Sequence, residues 1–227
     1  MLWLWLACNS LPEGVSIEEI DDSHQEVIKK YPSGALSLKG QLKKGTPMGL
    51  WEEWYEEGPL KARYSFLDGL EHGERTVWYP TGQIAEQGAM QFGHQEGEWQ
   101  MWHENGQQRA KTYYKKGIET GQRSIFYESG QAKSQAMIEG GMQSGLRIFW
   151  YENGQMQKQG YFALDMLNGP QEEWSTEGRW IRTVCYEQDQ AKSEWYATEP
   201  SLSDKVENSQ QQSQAPVFTK DMCDTVE

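Results

Sequence analysis

Residues 127–150 read YESGQAKSQAMIEGGMQSGLRIFW, and residues 151–174 read YENGQMQKQGYFALDMLNGPQEEW. Set one above the other, they share an opening tyrosine, a glycine three residues later, another glycine eighteen residues in, and a closing tryptophan. Stepping by 24 in both directions from Tyr127 gives Tyr31, Tyr55, Tyr79, His103, Tyr151 and Ser175. Three residues after each stands a glycine: Gly34, Gly58, Gly82, Gly106, Gly130, Gly154 and Gly178. Fourteen residues in come Gly45, Gly69, Gly93, Gly117 and Gly141, then Asp165 and Asp189; eighteen in come Gly49, Gly73, Gly97, Gly121, Gly145 and Gly169. These columns hold 18 of the 23 glycines, so the period is not accidental. A fixed period of this length marks a stack of identical supersecondary units.

Each unit has two turn signals. Glu104-Asn105-Gly106-Gln107 and Glu152-Asn153-Gly154-Gln155 place Asn-Gly between apolar stretches. Both residues tolerate positive φ, as a two-residue hairpin turn requires. The second signal, as in Lys115-Lys116-Gly117-Ile118-Glu119-Thr120-Gly121, has a glycine at each end and suggests a longer polar turn. Two turns per unit leave two strands of about 6–7 residues, an ordinary strand length. Helical repeats are excluded, because glycine at this frequency costs each helix about 1 kcal/mol per site. The fold class is therefore all-β: an elongated single-sheet ribbon or solenoid of tandem 24-residue β-hairpins. Adjacent strand residues point to opposite faces. The closing aromatics Trp54, Trp78, Trp102, Phe126, Trp150 and Trp174 are expected to form a packed ladder, with Tyr31, Tyr55, Tyr79, Tyr127 and Tyr151 on the other, more open face.

Composition agrees. The 227 residues carry net charge −13, only 37% are hydrophobic, yet 28 are Trp, Tyr or Phe. Few aliphatics argue against a layered α/β core, and many aromatics argue against disorder throughout. The acidic balance disfavours a nucleic-acid partner.

Units of the form Tyr-Glu-Asn-Gly-Gln … Gly … Gly-x-Trp/Arg-x-x-Trp resemble MORN-type repeats, nearest to a bacterial variant labelled as an antitoxin-like component of toxin–antitoxin systems. The resemblance covers about Tyr31 to Tyr186. It implies tandem hairpins used for interaction and transfers no catalytic residue.

The flanks differ from the repeats. Residues 1–10 begin MLWLWLA before Cys8, which resembles a truncated lipoprotein signal with Cys8 as the lipidated residue, although no Lys or Arg precedes the apolar run. Residues 11–30 form a linker and capping helix: Ser16 and Glu19 suit a capping box, and Lys29-Lys30 suit a helix end. Residues 31–186 hold six full units and one partial, residues 187–198 a degenerate closing strand, and residues 199–227 a disordered acidic tail rich in Ser and Gln. Cys185 and Cys223 are expected as two unrelated reduced thiols, because Cys223 falls in that tail; pairing would need an oxidising compartment.

Enzymatic constellations are absent from the sequence pattern. The histidines His24, His72, His94 and His103 occupy four different repeat positions, and no Cys-x-x-Cys or His-x-x-x-His spacing occurs. No metal ligands, cofactor or catalytic residues are expected. The pairs Glu52-Glu53 and Glu172-Glu173 are adjacent on strands and point apart, which does not suit glycoside hydrolysis. The candidate binding residues lie on the open face: Trp51, Tyr55, Arg75, Tyr79, Trp99, Arg123, Tyr127, Arg147 and Tyr151. Tyr, Trp and Arg are the types that concentrate binding energy at protein interfaces. The expected protein is a non-enzymatic scaffold for an unknown protein or peptide, tethered at the cell envelope, with membrane contact only through Cys8. Two alternatives stand beside it. One is a carbohydrate-binding cell-wall module, since planar rings also stack on sugars and aromatic-rich wall-binding repeats are similar. The other is a cytoplasmic antitoxin that sequesters a toxin.

Overall fold

The computed structural model describes residues 14–21, 23–196 and 223. Cys8, the start of the chain and nearly all of the expected acidic tail lie outside the described residues. Two compact units form. The first takes in the described residues up to Gln108 together with Tyr113–Ile118; the second holds Arg109–Thr112 and the described residues from Glu119 onward.

All described elements are strands. The first unit contains β1 (Val15–Asp21), β2 (His24–Lys30), β3 (Leu36–Lys43), β4 (Thr46–Trp54), β5 (Leu60–Leu67), the short β6 (Leu70–Glu71), β7 (Gly73–Trp78), β8 (Ile84–Gln91) and β9 (His94–Trp102). The strand β10 (Gln108–Lys115) contributes residues to both units. The second unit continues with β11 (Ile118–Phe126), β12 (Ala132–Glu139), β13 (Met142–Trp150), β14 (Met156–Ala163), β15 (Met166–Trp174), β16 (Trp180–Glu187) and β17 (Gln190–Tyr196). Within the first unit β1 to β9 pair antiparallel with their sequence neighbours, β6 and β7 sharing β5. Within the second, β11 to β17 do the same.

The helix expected within residues 16–30 is corrected: β1 and β2 form a hairpin there, with Ile17 opposite Val27. Its closing pair is Asp21–His24, twenty-two residues before the Lys43–Thr46 pair of the next tight turn, so this hairpin precedes the glycine-marked repeats slightly out of their frame. The β-branched Val15, Ile17, Ile20, Val27 and Ile28 favour strand. Val27 is buried with Leu38, Leu42 and Trp51, and Ile17, Tyr64 and Phe66 pack against that cluster. Burial of one strand face against neighbouring hairpins outweighs a capping box.

The two turn types are also exchanged relative to expectation. The tight turn is the one at the fourteen-residue glycine. Lys43 pairs with Thr46 across Lys44 and Gly45, and both turn residues have positive φ, 50° and 77°. Asp68-Gly69, Phe92-Gly93, Lys116-Gly117, Gly140-Gly141, Leu164-Asp165 and Gln188-Asp189 repeat this pattern of two left-handed residues. That is the strand-matching two-residue turn. At the Asn-Gly turn only the glycine is left-handed: Gly106 has φ 85° and Asn105 does not join it. There the Gly106 amide donates to the His103 carbonyl and the His103 amide to the Gln107 carbonyl, a three-residue loop with a glycine bulge. Asn105 instead accepts the Gln107 amide at 2.9 Å through Oδ1. The eighteen-residue glycines are not turn residues. Gly49, with φ 61°, sits inside β4 where the β3–β4 register skips between Lys39 and Gln41, as a bulge glycine does.

Hydrogen bonds tie the strands at both ends of the hairpins, within a repeat through its opening tyrosine and between consecutive repeats at the tight turns. The hydroxyls of Tyr31 and Tyr55 donate to the carbonyls of Trp54 and Trp78, and that of Tyr79 to Trp102, each at 2.8 Å. In the second unit Tyr127 and Tyr151 do the same to Trp150 and Trp174, at 2.8 and 2.9 Å. At the tight turns the Gly93 amide donates to Glu71 and the Gly141 amide to Glu119, backbone to backbone. Where aspartate replaces that glycine, its carboxylate adds a bond: Asp165 Oδ1 accepts the Gln143 amide and Asp189 Oδ1 the Leu167 amide, both at 2.7 Å.

Cys185 and Cys223 are disulfide-bonded, with Cα atoms 5.5 Å apart, a separation that suits the bond. The expectation of two unrelated reduced thiols is thereby corrected. Cys185 is 1% exposed on β16, so the bond anchors Cys223 to the buried face of the second unit.

Candidate functional site

One row of cross-strand neighbours contains the candidate tryptophans and arginines. In the first unit it runs Val27–Gly40, then Trp51–Tyr64, then Arg75–Gly88, and on to Trp99. In the second unit it runs Arg123–Ala136–Arg147–Gly160–Gln171–Val184. The bulges place the residue twenty positions into each unit on this row, beside the residue at position nine.

The tryptophans of the row do not lie open, as the sequence suggested. Trp51 is 2% and Trp99 1% exposed. Each indole lies flat on a glycine: a Cβ on Gly40 would stand 2.1 Å from Trp51, and one on Gly88 would stand 2.2 Å from Trp99. Their ring nitrogens donate to backbone, Trp51 to Met48 and Trp99 to Ala89. Phe66 meets Trp51 edge-on at 5.6 Å, and Tyr114 meets Trp99 at 6.3 Å. The column expected as the packed ladder, Trp54 to Trp174, is only half-buried. The two tryptophan columns thus exchange the roles expected of them. Gly40 and Gly88 lie outside the three periodic glycine columns, and a small residue eleven positions before a tryptophan was the signal for its burial.

The candidate tyrosines Tyr55, Tyr79, Tyr127 and Tyr151 are half-buried, and their hydroxyls are the donors to the closing tryptophan carbonyls described above. Their hydroxyls are thus already engaged, and Lys133 Nζ lies over the Tyr127 ring at 5.3 Å.

The arginines differ from one another. Arg75 Nη1 lies 2.9 Å from Glu71 Oε1, and its guanidinium covers the Tyr64 ring at 5.3 Å. Burial opposes the Arg75 charge, but the Glu71 carboxylate outweighs it and holds the pKa above the usual arginine value. Arg123 has Glu119 at 3.4 Å. Arg147 stands in the same relation to Gln143, whose Oε1 accepts from Nη1 at 2.9 Å. Burial and the nearby Arg123 charge push the Arg147 pKa down.

The carboxylate pairs are engaged in the sheet. Glu52 pairs with Arg63 at 2.8 Å, and Glu53 accepts from the Tyr64 hydroxyl at 2.8 Å. Burial, reinforced by Glu53, pushes the Tyr64 phenol well above its ordinary range. Glu173 pairs with Arg182 at 2.9 Å, which lowers its pKa, whereas burial raises that of Glu172 against a hydrogen bond from Gln159. An open depression lined by Glu74, Gln87, Gly88, Ala89, Glu98 and Gln100 brings together carboxylates and amides without a nucleophile. Among the described residues no three His, Cys, Asp or Glu side chains are placed to hold a metal ion.

The tight turns carry a feature the sequence reading missed. In the first unit Leu70, Phe92 and Ile118 are 49%, 51% and 53% exposed at or beside these turns; in the second, Met142, Leu164 and Met166 occupy the same places. Phe92 and Leu164 hold left-handed backbone, φ 48° and 51°, a conformation that bulky side chains rarely adopt. The Phe92 ring leans on His72 at 4.8 Å.

With this geometry in place, the comparisons can be set beside it. Residues 71–90, 95–116 and 143–163 match the family described as "MORN repeat variant", so the chain carries repeats of that type. That class of repeat is a non-enzymatic interaction repeat. No curated protein matches the chain. A solved structure described as "Crystal structure of GtfA/B complex bound to UDP and GlcNAc" is similar at 10% identity and a TM-score of 0.23, over 57% of this chain and 25% of that one. This chain thus spans about a quarter of that protein's length, and a likeness at that level carries no argument about fold or activity.

Proposed function

We propose that the protein is a non-enzymatic repeat scaffold that binds a protein or peptide partner. The observation that carries this reading is the apolar set at the tight turns. Turn chemistry favours Gly, Asn or Asp where φ is positive, yet Phe92 and Leu164 stand there half-exposed. A bulky residue in that conformation costs on the order of 1–3 kcal/mol, and apolar side chains kept exposed at that cost suit an interaction surface in each unit. In each unit the partner-binding set is therefore the turn side chains together with the arginines and the tyrosine rings. Trp51 and Trp99 drop out of it because they are core.

We place the protein outside the cytoplasm, lipid-anchored through Cys8. The Cys185–Cys223 bond supports the compartment, not the anchor, because structural disulfides persist in oxidising compartments. The carbohydrate reading rested on open tryptophans, and burial of Trp51 and Trp99 removes its main support.

The test is cross-linking of the intact chain in its native cell, with identification of the linked protein, repeated with Phe92→Asn and Leu164→Asn combined. Asparagine suits the left-handed turn, so folding should be unharmed. Loss of the cross-link with an undiminished melting temperature supports the reading. An unchanged cross-link, or binding to wall polymer alone, contradicts it.

A further inference from the structure

Within the second unit, the arginine row departs from the pattern set elsewhere in the chain. Three repeats place an arginine four residues after a potential acceptor: Glu71 before Arg75, Glu119 before Arg123, and Gln143 before Arg147. The first two arginines have a carboxylate within ion-pairing distance. The third has only an amide oxygen, and no carboxylate among the described residues contributes to its electrostatic balance. Its half-buried positive charge is thus left without a counter-charge.

The surroundings sharpen this. Gln143 is 4% exposed, and its Nε2 has no hydrogen-bond partner, nor has Arg147 Nε. The amide orientation is set by chemistry, since Oε1 must face the donating guanidinium. Two buried donors therefore lack an acceptor, and each such group costs roughly 1–3 kcal/mol. Asp165 does not supply one to the side chain, because its Oδ1 accepts the Gln143 backbone amide. Arg147 is flanked across the strands by Ala136 and Gly160, neither of which carries a polar side chain that could pair with it. Its guanidinium lies 4.3 Å from the Phe149 ring centre, and Lys158 Nζ lies 5.1 Å from the same centre. Arg123 stands two strands away on the same row, roughly 10 Å at the backbone, with a stretched contact to Glu119. Of these three cations, Arg123 has Glu119 and Lys158 has Glu173 opposite it on the next strand, which leaves Arg147 as the one without a carboxylate.

We infer that Arg147, Arg123, Lys158 and the Gln143 amide form an oxyanion-binding site that takes a carboxylate or phosphate group borne by a ligand. The arginine fork matches either group in bidentate fashion. An incoming oxyanion supplies the missing counter-charge and the acceptor that Arg147 Nε and Gln143 Nε2 lack. The arginines also belong to the proposed partner-binding set, but small ions need only this site and so test it separately from the tight-turn side chains.

The intact chain is titrated with inorganic phosphate and, separately, with acetate, following the arginine Nε–Hε signals by NMR. The expectation is saturable movement of the Arg147 signal. In Gln143→Glu, which restores the arrangement seen at Glu71–Arg75, affinity should fall at least tenfold with no loss of thermal stability. Arg147→Lys keeps the charge but removes the fork, and should also weaken binding at least tenfold. Tighter binding of phosphate than of acetate assigns a phosphate-bearing ligand; the reverse assigns a carboxylate. An Arg147 signal that neither ion moves overturns the inference, as does binding by Gln143→Glu equal to that of the unaltered chain.

Discussion

The Tyr79 hydroxyl donates to the carbonyl of Trp102 at 2.8 Å, across twenty-three residues of chain. The bond joins the first residue of a 24-residue repeat to the last, so each tyrosine ties the turn that opens its repeat to the strand that closes it. A net hydrogen bond of this kind contributes about 0.5–1.5 kcal/mol. Tyr79→Phe, which keeps the ring, should therefore lower unfolding stability by about that amount in urea denaturation. An unchanged midpoint would mean that the ring alone matters.

Gly88 exists for Trp99. Gly88→Ala introduces a Cβ 2.2 Å from the indole, and overpacking of this sort costs about 1–3 kcal/mol. Combined with Trp99→Leu, the loss should be less than the sum of the two single changes, because the clash disappears with the indole. Strict additivity in denaturation curves would contradict the stacking.

Much of this was written in the sequence and some was not. The period was legible because glycine is the residue that positive φ selects. The tight turn was misplaced because its first left-handed position holds Lys44, Asp68, Phe92, Lys116, Leu164 and Gln188, which show no common residue to the eye. The N-terminal hairpin was missed for the same reason, since residues 15–30 contain no glycine at all. Burial of Trp51 was misjudged because counting faces by alternation fails across a bulge. The register slips between Glu53 and Trp54, so Trp51 and Tyr55 cannot be placed by parity. Tyrosine clamps were invisible too, because their acceptor is a backbone carbonyl that carries no sequence signal.

The Cys185–Cys223 bond closes a loop with a sequence separation of 38 residues. Chain-entropy reasoning gives such a link about 2–4 kcal/mol. Reductant, or Cys223→Ser, should lower the melting temperature of the second unit. A non-reduced peptide map should show the two cysteines linked in protein taken from its native compartment, and free thiols there would contradict the assignment.

Glu172 and Glu173 should have opposite pH signatures. Burial raises the Glu172 pKa in the folded state, so protonation favours folding there, and its contribution is lost as pH rises through that raised value. Arg182 depresses the Glu173 pKa, so its stabilisation is present above the ordinary carboxylate pKa and fades as pH falls through the depressed value. Glu172→Gln should raise the melting temperature at pH 7, with the gain vanishing in acid where Glu172 is already protonated. A gain that persists unchanged into acid would show that the carboxylate charge is not the cause.

The central claim is that 24-residue hairpins stack as separable units. Deleting residues 127–150 joins Phe126 to Tyr151 and leaves the frame intact. Because repeat stability comes mainly from neighbouring units, the shortened chain should keep a β-type circular dichroism spectrum and a cooperative melt. Loss of the β signal on that deletion would contradict the account.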